Sequence, residues 1–399
     1  MVYIYTSWKM VGKRMAGRHD ITPGVLMDLL VNSSLVCKIL ARYQESGDRL
    51  ERAARVAESS GDLLRGYRVA AERAALCYIR GRLDEGLQLA RRVIGAEGCQ
   101  AGESRASCLN TEGNIHLRRC EFEQAEDSFR RALELYQGTG RELSVGITLN
   151  NLGNIHNIRG ESQGALELYH RALEIFQRFG DSFRTAHVLH AICQMQQYQR
   201  DFAQARSYQM RSLELRHRMQ DYRGIVNGLL VLAVIETDLL NYEAALERLL
   251  EADALIETHG LREPHILAFR HGTAGTLYFD TGEFDKAETC FIELIEISRG
   301  MGSVEFLSGG HNWLGKTRVT RDKSELGLAD IRQGLEIAAA RGLTVQEQDG
   351  WNFMALCCRL LGKKEESLRA AERYAEISRR MGVPEDSLRE NLRILTDGA

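Results

Sequence analysis

Residues 150–176, NNLGNIHNIRGESQGALELYHRALEIF, decide the fold of this 399-residue chain. The stretch places two small residues, Gly153 and Ala165, on either side of a turn residue, Gly160. A small residue in the middle of a helix lets a second helix approach closely, and glycine readily adopts the left-handed conformation that ends a helix. The stretch therefore predicts a hairpin of two closely packed helices.

This pattern recurs along most of the chain. One column of small residues is spaced by 40 residues three times between Ala125 and Ala245, and by 33 to 42 residues elsewhere. Its members are Ala53, Gly86, Ala125, Ala165, Ala205, Ala245, Ala287, Gly327 and Ser367. A second small column lies twelve residues upstream, at Ala41, Ala74, Gly113, Gly153, Cys193, Ala233, Gly275, Gly315 and Ala355. Because one helical pair cannot bury its apolar face alone, the repeats are expected to stack.

The repeats resemble tetratricopeptide repeats. Residues 110–136 (NTEGNIHLRRCEFEQAEDSFRRALELY) and 150–176 match that family's pattern of small–x7–G–x4–A–x3–F/Y–x2–A. The period is longer than the family's usual length of about 34 residues, and it is similar to the subclass found in Pins-type adaptors, kinesin light chains and bacterial signalling sensors. The resemblance implies an all-α, right-handed superhelical solenoid of about nine hairpins. Arg200, Leu240 and Asp322 depart from the pattern at the turn position.

The spacing predicts five segments. They are a basic and aromatic arm or cap (1–30), two irregular repeats (31–94), a Gly-rich link (95–104), seven 40-residue repeats (105–382), and a capping helix with a tail (383–399). The arm carries Tyr3, Tyr5 and Trp8 among basic residues. It is either a plain extension or a surface that binds a partner or a membrane. In the last segment, Leu388 and Leu392 fall on one helical face, as a cap requires.

The composition excludes several classes of protein. With 44% apolar and 27% charged residues and a net charge of −3, the chain is typical of soluble globular proteins and shows no bias toward nucleic acid. No apolar run is long enough to span a membrane, and the first residues lack the pattern of a secretory signal. Nine cysteines without C-x-x-C spacing favour a reducing compartment. We therefore expect a cytoplasmic protein.

No constellation of catalytic residues is evident. The sequence has no phosphate-binding glycine loop and no nucleophile elbow. His187, His190 and Cys193 come nearest to a metal-binding cluster, but their three- and six-residue steps do not keep all three on one helical face. We expect no enzymatic activity, no cofactor and no metal site.

The polar face of the first helix in each repeat is the candidate binding surface. Residues three before and one after the upstream small position form pairs four apart, which lie on one face of a helix. An Asn amide offers a donor and an acceptor that match a peptide bond, and in related repeats such asparagines hold extended peptides. The alternative is that these asparagines only bridge adjacent helices. The predicted groove residues are Asn110, Asn114, Asn150, Asn154, His190, Gln194, Leu230, Val234, Phe279, Asn312, Lys316 and Asn352.

Two functions fit this pattern. The first is a scaffold whose concave groove binds a peptide or helical segment of a partner protein, with polar ends and an apolar middle at Leu230, Val234 and Phe279. The second is the sensing domain of a signalling or transcriptional regulator, which binds a small molecule or a signalling peptide. Both predict a protein or peptide partner and no direct contact with nucleic acid; self-association stays open.

Overall fold

A computed structural model describes residues 22–39, 42–96 and 102–396. Every regular element in these ranges is an α-helix. In chain order they are α1 (Pro23–Ile39), α2 (Tyr43–Ser60), α3 (Leu63–Ile79), α4 (Leu83–Ile94), α5 (Gly102–Arg118), α6 (Phe122–Gly138), α7 (Glu142–Ile158), α8 (Ser162–Arg178), α9 (Ser182–Tyr198), α10 (Phe202–Met219), α11 (Tyr222–Asp238), α12 (Tyr242–His259), α13 (Pro264–Asp280), α14 (Phe284–Met301), α15 (Val304–Thr320), α16 (Ser324–Arg341), α17 (Thr344–Leu360), α18 (Lys364–Arg380) and α19 (Glu385–Thr396).

The helices pair as predicted, α1 with α2 through α17 with α18, and α19 follows as a single helix. The predicted all-α repeat architecture is therefore confirmed. The first pair begins earlier than expected, because α1 starts at Pro23 inside the segment 1–30. Proline suits the first position of a helix, where its missing N–H would have no partner. The basic and aromatic residues before position 22 lie outside the described residues.

Small residues set the spacing within each hairpin. A Cβ added at Gly113 would lie 2.6 Å from the ring of Phe129, and one added at Gly275 would lie 2.5 Å from the ring of Phe291. Each glycine therefore makes room for an aromatic ring from the second helix of its own pair. Ala165 and Ala245, in the other small column, are both fully buried. The two columns are thus the contact line of the hairpins, as the sequence predicts.

The turns between paired helices keep one backbone conformation whatever residue occupies them. Gly81 and Gly160 both have φ of +75°. Arg200, Leu240 and Asp322, which depart from the repeat pattern, adopt φ of 61°, 62° and 60°. Such left-handed conformations cost non-glycine residues roughly 1–2 kcal/mol each, and the packed helices on both sides hold them in place.

The chain forms two compact units, residues 1–152 and 153–399, and the division falls within α7. It does not coincide with the Gly-rich link at 95–104, of which residues 97–101 lie outside the described part. In unit 1, a core cluster around Leu50 and Val69 joins α1, α2 and α3.

Unit 2 ends in the predicted cap. Its last core cluster runs from Val319 to Leu395 and includes residues of α15 to α19. Leu388 is fully buried and Leu395 is 3% exposed, so α19 covers the apolar face of the last hairpin. Within the described ranges, no helix combines the length and the apolar character that a membrane crossing requires.

The cysteines give a test of the assigned helix faces. Of those in the described ranges, Cys120 is exposed and the other seven are buried. Burial raises the pKa of Cys193 and of Cys357 to about 12, so neither forms the reactive thiolate at pH 8. We expect iodoacetamide to modify Cys120 quickly in the native protein, and Cys120→Ser to remove that rapid event from the peptide map. Equally fast modification of Cys193 would contradict the assigned faces.

Candidate functional site

The first helices of unit 2 direct polar side chains toward one another. We call this surface the inner face and define it by Tyr198 on α9, Asp238 on α11, Asp280 on α13, Lys316 on α15 and Asp349 on α17. The pKa of Asp238 responds to Asp280 and Asp349, and that of Tyr198 responds to Asp349. Tyr198 also packs against the core cluster of α15 to α19. Residues from opposite ends of unit 2 therefore meet across its interior.

Helix geometry explains why these positions converge. Each residue advances about 100° around an α-helix. We count from the small residue of the upstream column in the same helix. Lys316 follows that residue by one position, and Asp349 precedes it by six. The other three residues, Tyr198, Asp238 and Asp280, follow it by five. These offsets fall within an arc of about 40°. The small position faces the partner helix of its own pair, so this arc faces the interior of the unit instead.

The inner face carries three carboxylates whose environment disfavours their charge. Burial raises the pKa of Asp238 to about 7; Arg200 opposes that shift, whereas Asp280 and Asp349 add to it. Burial also raises the pKa of Asp349 to about 6, against the opposing influence of Lys316. The pKa of Asp280 is raised by burial as well. The site therefore holds like charges close together on a surface that solvent still reaches at Asp238 and Asp280, an arrangement that a folded core alone does not require.

Lys316 lies in a cage of aromatic rings. Its Nζ is 4.4 Å from the ring centre of Phe279, 4.4 Å from that of Trp313 and 4.6 Å from that of Phe353. Burial lowers the pKa of Lys316, and Asp280 and Asp349 oppose that shift. Among the described residues, no carboxylate lies within ion-pair distance of this ammonium group. Its stabilisation comes from the faces of the three rings and from carboxylates farther away.

A second contact joins the two ends of unit 2. We call it the clasp and define it by Ile158, Gly160, Ser162, Thr344 and Met381. The Ser162 hydroxyl donates a hydrogen bond of 2.5 Å to the Met381 carbonyl oxygen, and the Thr344 hydroxyl donates one of 3.4 Å to that of Ile158. A Cβ added at Gly160 would lie 3.0 Å from Met381 Cγ. The helices of unit 2 thus return on themselves around the inner face.

The predicted asparagine positions are mostly used between helices. In unit 1, the Asn151 side chain donates to the amide oxygens of Asn110, at 3.3 Å, and Asn114, at 3.4 Å. In unit 2, the Tyr169 hydroxyl donates to Asn154 Oδ1 at 2.7 Å. These contacts correspond to the bridging alternative. The buried Oδ1 atom of Asn150 has no hydrogen-bond partner in the described structure.

Two of the predicted groove residues are core residues. Leu230 is fully buried in a cluster that joins helices α11 to α14, and Asn312, also fully buried, donates to the Gln346 carbonyl oxygen at 2.9 Å. The reason is geometric: the position three before the small residue lies about 40° closer to it than the position one after. It therefore packs against the neighbouring repeat. His190 shares this position and contacts Gln209 Oε1 through Nδ1 at 3.0 Å.

The other predicted residues are partly accessible. Gln194 and Val234 share the register of Lys316, and both are half-buried. Phe279 is half-buried as part of the cage around Lys316. Asn352 is also half-buried. Within unit 2, the structure thus brings Phe279 and Lys316 together with carboxylates.

The residues nearest to a metal cluster in the sequence do not converge. His187 is exposed, His190 pairs with Gln209, and Cys193 is fully buried. Over the ranges that the structure describes, no three His, Cys, Asp or Glu side chains are placed to hold a metal ion together.

Sequence reasoning missed Tyr198, Asp349, Trp313 and Phe353 as parts of the site. Asp238 and Asp280 were not among the predicted groove residues either. A usable signal exists, because Tyr198, Asp238 and Asp280 are the last residues of their helices and share one offset from the small column. Asp349 shares a face with them but lies in the first half of its helix, as the sixth residue of α17.

Known proteins share both the repeats and the fold. Residues 144–218 and 271–300 match models of the tetratricopeptide repeat. No curated protein sequence matches the chain. A Rap protein, in its crystal structure with competence and sporulation factor, has 14% sequence identity and a TM-score of 0.67 over 92% of this chain and 99% of that chain.

Two further solved structures are similar over most of their length. One is aspartyl phosphate phosphatase F from Bacillus subtilis, with 12% identity and a TM-score of 0.57 over 92% of this chain and 98% of that one. The other is the Rap conjugation gene regulator of plasmid pLS20 in complex with the Phr* peptide, with 12% identity and a TM-score of 0.57 over 89% and 96%. At these identities the likeness shows the fold. Together with the matched repeats, it shows tetratricopeptide repeats at residues 144–218 and 271–300 of a chain whose fold is that of a helical-repeat solenoid.

Proposed function

We propose that this protein binds a peptide segment of another molecule on the inner face of unit 2. The observation that carries the proposal is that three charged side chains of the inner face, Asp349, Lys316 and Asp238, have no hydrogen-bond partner among the described residues; Asp349 and Lys316 are half-buried and Asp238 is exposed. Charged groups that are partly withdrawn from water and lack partners cost free energy, and such groups gather where a ligand uses them.

The comparisons support a peptide as the ligand class. Two solved structures of this fold are complexes, one with competence and sporulation factor and the other with the Phr* peptide. Polar side chains beside aromatic rings, as at Lys316 and Trp313, also suit a peptide, which offers backbone polar groups and apolar side chains together.

A scaffold and a sensor would both bind a peptide segment on the inner face. A scaffold uses the bound segment to hold a partner, whereas a sensor uses it to change a downstream interaction. The sensor reading is favoured by one specific observation: a solved structure of this fold is described as a conjugation gene regulator in complex with a peptide. We propose binding without catalysis, in the cytoplasm, for either role.

The experiment is affinity selection from a randomised pool of short synthetic peptides, read by mass spectrometry. Val234→Trp adds a large side chain at the register of Lys316, so it should abolish retention while circular dichroism stays unchanged. Its matched control is Leu250→Trp, because Leu250 is 57% exposed on the second helix of the same pair. This control should retain the same peptides as the wild type. Equal retention by all three proteins would overturn the proposal.

A further inference from the structure

The arrangement around Lys316 says which chemical group the inner face recognises. An ammonium group occupies a cage of three rings within 4.6 Å of each ring centre. Ring faces carry negative charge density, and cages of this kind bind cations in many proteins. Here the occupant belongs to the chain itself, so the cage demonstrably accommodates a cation.

The carboxylates around the cage exceed what Lys316 requires. Asp280 and Asp349 both raise the pKa of Lys316. Asp238 does not affect the pKa of Lys316, but its own pKa is raised by the same two carboxylates. Two carboxylates thus act on one ammonium group, and Asp238 adds a third negative charge beside them, opposed by Arg200 in the turn after α9. The local balance leaves an excess of negative charge that a second cation would neutralise.

We propose that the inner face is a recognition site for a cationic group of the bound peptide, and that Lys316 occupies the aromatic cage until that group displaces it. The inference rests on the function proposed above and names its ligand chemistry. The cation is a guanidinium or ammonium group, from an Arg or Lys side chain or from the peptide's amino terminus. The ring faces of Phe279, Trp313 and Phe353 would hold it, and Asp349 and Asp280 would neutralise it.

Displacement gives variants with opposite effects. Lys316→Met keeps the length and apolar stem of the side chain but removes the competing charge, so affinity for cationic peptides should rise by about tenfold. Asp349→Asn keeps the shape but removes a negative charge, so affinity should fall by a similar factor. A purely structural Lys316 would give a loss or no change in the first variant. The matched control is Asp386→Asn, whose side chain is fully exposed on α19.

Four synthetic peptide pools separate the two sources of the cation. They have free or acetylated amino termini, and they contain or lack Lys and Arg. Enrichment that survives acetylation but not the removal of Lys and Arg identifies a side chain, and the reverse result identifies the amino terminus. Binding is followed by the fluorescence of Trp313, which lies in the cage, with Trp313→Phe to assign the signal. Equal binding of acetylated pools without Lys and Arg would overturn the inference.

Acidity provides an independent readout. Burial raises the pKa of Asp238 to about 7 and that of Asp349 to about 6, so we expect both carboxylates to be mostly charged at pH 8 and mostly protonated at pH 5. Affinity for cationic peptides should therefore fall from pH 8 to pH 5, and Asp238→Asn should reduce that fall. If Val234→Trp abolishes binding but Asp349→Asn and Lys316→Met do not alter it, cation recognition fails and peptide binding stands. If Val234→Trp is also without effect, both proposals fail.

Discussion

Gly315→Ala should destabilise unit 2 by about 1–3 kcal/mol or more, although it adds only one methyl group. The added Cβ would lie 2.5 Å from the Gly327 carbonyl oxygen and 2.9 Å from the Ile331 backbone nitrogen. Both are backbone atoms of α16, so α15 and α16 would have to separate along their whole contact. The measurement is the urea midpoint, followed by circular dichroism.

The same helix supplies the matched control. Gly309 also lies within α15, and a Cβ added there would meet no atom within 4 Å. Gly309→Ala should therefore stabilise the protein by about 0.5–1 kcal/mol, because alanine loses less backbone freedom than glycine when a helix forms. Shifts of the same sign for the two alanine variants would contradict the close α15–α16 packing.

Gly160→Arg should open the clasp. Its added side chain would meet Met381 and Thr344, since a Cβ at Gly160 already lies 3.0 Å from Met381 Cγ and 3.3 Å from Thr344 Cγ2. We expect a lower melting temperature, by several degrees, and a larger radius of gyration in small-angle X-ray scattering. The clash with Met381 and Thr344 should lower the free energy of unfolding by about 1–3 kcal/mol, the usual cost of overpacking.

Gly362→Arg is the matched control, which distinguishes the loss of the clasp from backbone strain in the turn. Gly362 has φ of +69°, close to the +75° of Gly160, and a Cβ added there would meet nothing within 4 Å. Arginine is tolerated at this turn position, since Arg200 occupies it with φ of +61°. Equal changes in the two arginine variants would show that the turn, and not the clasp, accounts for the effect.

Local rules account for the parts of the fold that the sequence predicts. A small residue such as Gly275 and the aromatic ring of Phe291 meet within one hairpin, so spacing along the chain suffices to place them. The turn at Arg200 is equally local, because the helices on both sides fix its conformation. These features need no knowledge of how successive repeats are rotated.

The site depends on that rotation, which one repeat does not encode. Asn312 and Lys316 are four residues apart, yet one is fully buried and the other reaches the inner face. A difference of about 40° around the helix decides between these outcomes. Whether Ser162 and Met381 meet depends on the small rotations between successive repeats, added over all the repeats between them. Patterns within a repeat therefore indicate which helices line the interior, but not which residues meet there.

The clasp has a consequence for the rates of binding. A groove that is open along one side can release a ligand sideways, whereas helices that return on themselves leave an exit only along their axis or through a transient gap at Ser162 and Met381. Breaking that contact would then raise association and dissociation rates together, and change the equilibrium affinity less than either rate. The clasp, including the hydrogen bonds of Ser162 and Thr344, would then contribute to the lifetime of a peptide bound on the inner face.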